Sequence, residues 1–78
     1  MVPNDPDTML TRDAIAVALT AAGYPISAAT LATKATRGGG PTYRLFGRRP
    51  LYKWSDSLDW ARGRLSKPVR SSSELEAA

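Results

Sequence analysis

The sequence predicts a mainly α fold with a small β-hairpin (α+β): three short helices and two strands. Two observations fix the helical half. Two segments each open on a hydroxyl residue suited to an N-cap and close on glycine, at Thr11 to Gly23 and Ser27 to Gly38. A third observation supplies the strands. Tyr43-Arg-Leu-Phe46 and Leu51-Tyr-Lys-Trp54 are β-prone runs separated by the turn signal Gly47-Arg48-Arg49-Pro50.

Seventy-eight residues make one small domain. At this size a core supplies only about 3–5 kcal/mol of net stability. The formal charge is +4, and it is unevenly spread. Arg12 stands against Asp5, Asp7 and Asp13 in the first 33 residues. From Lys34 to Arg70 ten basic residues stand against Asp56 and Asp59, a local excess of eight. Such a basic half suits a polyanionic partner; a solvated surface that serves solubility is the lesser alternative. With no cysteine and no histidine, disulfides, thiolate metal sites, the usual zinc spacings and most nucleophile–base pairs are excluded. Neither a secretory signal nor an apolar run near the roughly 18–20 residues of a membrane span is present. The expectation is a cytoplasmic binding module with no catalytic residue, no metal and no cofactor.

Residues 1–8 read as a loose polar leader, 9–65 as the folded domain, and 66–78 as a flexible basic and polar tail. Thr11 caps a first helix, with Asp13 in its first turn where the helix dipole favours a carboxylate. Ile15, Ala18, Leu19 and Ala22 form its apolar stripe, with Leu10 just ahead. Gly23 ends it and Tyr24-Pro25 turns the chain. Ser27 caps a second helix, with Ile26 and Leu31 at hydrophobic-staple positions. Its side chains are small or hydroxylic: Ala28, Ala29, Thr30, Ala32, Thr33, Ala35 and Thr36, with Lys34 and Arg37 adding charge. A helix so thin-walled can sink into the DNA major groove. Helix, short connector and second helix also outline an ordinary helical hairpin, and these residues alone do not separate the two.

The next segment favours the helix-turn-helix. A hairpin closing around Arg48-Arg49 pairs Phe46 with Leu51, Leu45 with Tyr52, Arg44 with Lys53, and Tyr43 with Trp54. Tyr43, Leu45, Tyr52 and Trp54 then share one apolar face, which belongs against the helices. Arg44 faces Lys53 on the other side, a like-charge pairing that makes sense beside phosphates. A basic hairpin in this place is a wing. Tyr43, Tyr52 and Trp54 are read as core, in preference to a base-stacking platform of single-strand-binding type. Ser55 caps a third helix with Asp56 in its first turn; Leu58, Ala61 and Leu65 follow at helical spacing, and Trp60 adds a bulky anchor. The Leu75-Glu76 pair is compatible with a cloning remnant.

The stretches LTRDAIAVAL, SAATLA and RGGGPTYRLFGRRPLYKWSDSLDWA resemble the winged helix-turn-helix proteins of the excisionase type, also called recombination directionality factors, near the MerR-type DNA-binding domains. The resemblance covers about Met9 to Leu65. It rests most on Gly38-Gly39-Gly40-Pro41, Phe46-Gly47-Arg48-Arg49, Tyr52, Ser55-Asp56 and Trp60. It implies a bacterial, nucleoid-associated protein of a mobile element that binds repeated double-stranded DNA sites near an attachment site. There it bends the DNA and directs a separate recombinase toward excision. Relatives act as transcriptional regulators on the same scaffold. The chain departs from the family in its longer connector, Ala21 to Pro25, and at Lys34, where many relatives carry a bulky residue.

The expected DNA contacts are Ser27, Ala28, Ala29, Thr30, Thr33, Lys34 and Arg37 on the recognition helix, and Arg44, Arg48, Arg49 and Lys53 on the wing. Basic residues set affinity through phosphates; hydroxyls and methyls read base edges. A single module buries only about 600–1,000 Å² of protein, so tandem copies on repeated sites are expected. The resemblance implies head-to-tail, cooperative loading, with a symmetric dimer on an inverted repeat as the alternative. An adaptor docking an acidic patch on a recombinase or polymerase is the rival from another class. RNA binding is a weaker rival, because a groove-reading helix has no obvious use on A-form RNA.

Overall fold

A computed structural model describes residues 2–66, 68 and 70. The elements are β1 (Met9–Thr11), α1 (Arg12–Ala21), α2 (Ala28–Arg37), β2 (Arg44–Phe46), β3 (Arg49–Lys53) and α3 (Trp54–Gly63). It is a small α+β fold of three helices and a three-stranded antiparallel sheet in the order β1-β3-β2. No helix among the described residues is long and apolar enough to cross a membrane. The proposed tail lies largely outside the described residues, as do Leu75 and Glu76.

The helix signals act as the sequence suggests. Thr11 Oγ1 accepts a hydrogen bond from the Ala14 N–H at 3.2 Å, and Ser27 Oγ accepts one from the Thr30 N–H at 3.1 Å. Each satisfies a first-turn donor that the helix cannot pair internally. At the end of α1, Gly23 takes φ +104°. The Gly23 N–H then donates to Thr20 O and the Tyr24 N–H to Leu19 O, the paired bonds of a Schellman stop. The Thr20 hydroxyl donates to Ile26 O and accepts from the Ile26 N–H, both at 3.3 Å, tying the connector back to α1.

The sheet differs from expectation in three ways. First, it has a third strand. β1 pairs with β3, Leu10 opposite Tyr52, so the central strand is β3 and the hairpin is not a free-standing two-stranded wing. Second, the hairpin register is shifted by two residues: Arg44 pairs with Leu51, Leu45 with Pro50 and Phe46 with Arg49. The turn is therefore Gly47-Arg48, with Gly47 at φ +66°. A positive φ at the first central position is what a two-residue II′ turn requires, and glycine supplies it without strain. Because the shift is even, it leaves the side chains within β2 and β3 on their expected faces. It does separate the expected like-charge pair, since Arg44 now faces Leu51 and Lys53 faces Met9 on β1.

Third, Trp54 opens α3 instead of ending a strand, and Ser55 lies inside the helix without acting as its cap. Lys53 holds the cap position with no side-chain capping hydrogen bond. The donors are satisfied from elsewhere: the Trp54 N–H donates to Thr8 O and the Ser55 N–H to Pro6 O, each at 2.9 Å. Residues 5–8, expected to be loose, thus cap α3 through their backbone. Asp7 also pairs with Lys53 at 3.2 Å, an exposed contact worth little by itself.

The core gathers Ile15, Ala16, Ala18, Leu19, Leu31, Tyr52, Trp54 and Ala61, with Leu58, Trp60 and Ile26 packed against it. Tyr52 and Trp54 are buried as expected. Tyr43 is not, at 40% exposed, although its ring lies 5.4 Å from that of Tyr52. Leu45, on the same face, is 65% exposed, because the short strand β2 packs chiefly on β3 and not on the helices. Leu65 falls past the end of α3 and is likewise exposed.

Candidate nucleic-acid interface

Leu31 is the residue of α2 that is fully buried, and Ala28, Ala32, Lys34 and Ala35 flank it half-buried. The opposite face carries Ala29, Thr30, Thr33, Thr36 and Arg37, all exposed, with Ser27 at its start. Their spacing of three and four residues makes one continuous strip. Ala28 was expected on that strip, but it packs against the core instead. Its position one residue before Ala29 rotates it inward. Thr36 is on the strip and was not among the expected contacts.

The hydroxyls of this strip are already oriented. Thr33 Oγ1 donates to Ala29 O at 3.1 Å and Thr36 Oγ1 to Ala32 O at 3.2 Å; the Ser27 and Thr30 hydroxyls meet at 2.9 Å. With its hydrogen engaged in the helix, each of Thr33 and Thr36 retains acceptor lone pairs and a methyl group. A base amino group and a thymine methyl are the two edge features that match this pair.

Lys34 sits where α2 meets the glycine run. A Cβ placed on Gly40 would lie 3.0 Å from the Lys34 Cβ, so a side chain there would require α2 or the glycine run to give by a few tenths of an ångström. The half-buried stem leaves the ammonium free to reach solvent. Together with Arg37 it lies in the last turn, favourable for the helix dipole. Gly38 and Gly39 both take positive φ, and Trp60 Nε1 donates to Gly39 O at 2.9 Å, pinning the run to α3.

At the hairpin, Arg44, Arg48 and Arg49 are exposed. Among the described residues none of these three, nor Arg37, has a carboxylate within ion-pair distance, whereas Lys53 is held by Asp7. The two groups of residues are connected through α1: α2 packs on α1, and α1 also contacts β1 and β3.

Arg12 was missed from the sequence. Its Nε donates to the Tyr52 hydroxyl at 3.0 Å, and its guanidinium lies 5.9 Å and 5.8 Å from the Tyr43 and Tyr52 rings. Such contacts fix a long side chain through cation–π attraction and a charge-assisted bond. Thr11, Arg12, Asp13, Arg49 and Pro50 line one shallow surface hollow where α1 meets the hairpin. The available signal was its position: a cation in the first helical turn opposes the helix dipole and calls for a reason.

No cluster of three acidic, cysteine or histidine residues able to hold a metal occurs among the described residues. No protein-family model matches this chain, and no curated protein matches it.

Proposed function

We propose that the chain is a sequence-specific double-stranded DNA-binding protein of winged helix-turn-helix type. In this reading α2 enters the major groove and the β2–β3 hairpin reaches the flanking backbone and minor groove. The observation that carries it is the exposed strip of α2: small and threonine side chains with no core role, ending in Arg37. The unpaired arginines at the hairpin supply the phosphate attraction such a helix needs. The excisionase role is taken from the motif resemblance. It comprises loading of head-to-tail copies on repeated sites, bending near an attachment site, and steering a recombinase toward excision. Transcriptional regulation would use the same contacts.

Titrating fluorescent duplex DNA at several salt concentrations tests the reading. Six phosphate contacts give a slope of about −5 in log K against log salt. A slope flatter than about −2 overturns the phosphate-centred interface. Replacing Arg48 and Arg49 with alanine weakens all duplexes alike and flattens the slope by about 2. Replacing Thr33 with alanine erodes discrimination by about 1–3 kcal/mol at one base pair, leaving the slope in place.

A further inference from the structure

Phe46 is the most exposed large apolar side chain of the described fold, at 77%. It is the last residue of β2, next to a glycine that adds no side chain of its own. Its cross-strand partner is Arg49, and strand alternation puts Arg44 on the same face. Arg48 stands in the turn. An aromatic ring surrounded by three arginines without carboxylate partners does not resemble a seat for an apolar protein surface. The charges would be buried there without compensation. It does match a ligand whose outer surface is polyanionic and whose interior is stacked and apolar. Duplex DNA has that construction. Leu45, 65% exposed, lies on the opposite face of the same narrow ribbon beside Pro50, so the apolar end is not a patch on one side only.

We propose that Phe46 is a wedge that enters a base-pair step from the minor groove, partly unstacking it and kinking the duplex. Arg44 and Arg49 neutralise phosphates on the two sides of the opened step. Apolar side chains inserted from the minor groove bend DNA toward the major groove and bring more protein surface into contact. Pyrimidine–purine steps such as TA open most easily, so the wedge gives the chain a preference at a step that α2 does not read. This inference rests on the DNA-binding reading above and adds the residue that does the bending.

The test uses the full chain and a short A·T-rich duplex containing TA steps, at low salt. The end-to-end distance is followed by energy transfer between terminal dyes, and unstacking by 2-aminopurine fluorescence at each step. The unaltered chain is expected to shorten the distance and to brighten one step. Phe46→Ala, confirmed folded by circular dichroism, is expected to lose both signals while its affinity falls by no more than about tenfold. Phe46→Leu restores part of the bend, and Leu45→Ala leaves it unchanged. Bending by Phe46→Ala equal to that of the unaltered chain overturns the wedge. So does an effect of Phe46→Ala confined to cooperative loading, which would make the ring a contact between copies of the chain. Binding without any bend overturns the wedge and leaves DNA recognition standing. Absence of duplex binding by the unaltered chain overturns the DNA-binding reading itself.

Discussion

Tyr52 and Phe46 belong to the same hairpin, yet one is 1% exposed and the other 77%. Both are aromatic and both come from β-prone runs. Their positions differ in what lies alongside. Tyr52 is on β3, flanked by β1 and β2 and covered by α1 and α3. Phe46 is on β2, a three-residue edge strand. An edge strand offers unpaired backbone groups, and shortness with flanking arginines protects it from pairing with other chains. The sheet therefore has a stability end and an exposed end, and side chains of similar hydrophobicity have different work in each.

The largest expected effect lies at the stability end. Leu19 is fully buried between α1 and the rest of the core, and Leu19→Ala should cost about 2–5 kcal/mol. Because that matches the whole net stability of a domain this size, thermal unfolding followed by circular dichroism should lose its cooperative step. Next comes the junction of the two ends. Tyr52→Phe removes the acceptor of the Arg12 Nε–H and should lower stability by about 1 kcal/mol, measured by urea titration. A smaller effect of opposite sign is expected in α3. Ser57 is fully buried and its hydroxyl has no hydrogen-bond partner among the described residues. Ser57→Ala should raise stability by up to about 1 kcal/mol, because it removes an unsatisfied group and improves helix propensity. The smallest effect belongs to the exposed end. Phe46→Ala should shift stability by no more than about 0.5 kcal/mol. A loss comparable to that of Leu19→Ala would erase the distinction between the two ends.

The elements whose signals are local were legible in the sequence. Thr11 and Ser27 cap because each hydroxyl meets an N–H three residues on. Gly23 and Gly38 stop helices because their own φ turns positive. Of the residues expected to face a partner from α2, Ser27, Ala29, Thr30, Thr33 and Arg37 are exposed, whereas Ala28 and Lys34 are half-buried. What was not legible depended on distant partners. Met9–Thr11 is too short to show alternation, and it becomes a strand only because β3 is there to pair with it. Ser55 gave a sound capping signal that lost to the carbonyls of Pro6 and Thr8, which arrive from the other end of the chain. The arginine at position 12 stood out only by opposing the helix dipole; its partners, the Tyr43 and Tyr52 rings, come from the distant hairpin.

By itself, then, the amino-acid order determined where two of the helices begin and end and which side chains of the hairpin share a face. Those outcomes are decided within a few residues by hydrogen bonds and allowed dihedral angles. Tertiary structure alone decided the third strand, the docking of residues 5–8 on α3, and the contrast between a buried Tyr52 and an exposed Phe46. Each of these depends on contacts between segments far apart in sequence, such as the bond from Arg12 to Tyr52, whose partners lie 40 residues apart. Such partners meet only after the chain has closed the loop between them, and no local propensity encodes that meeting.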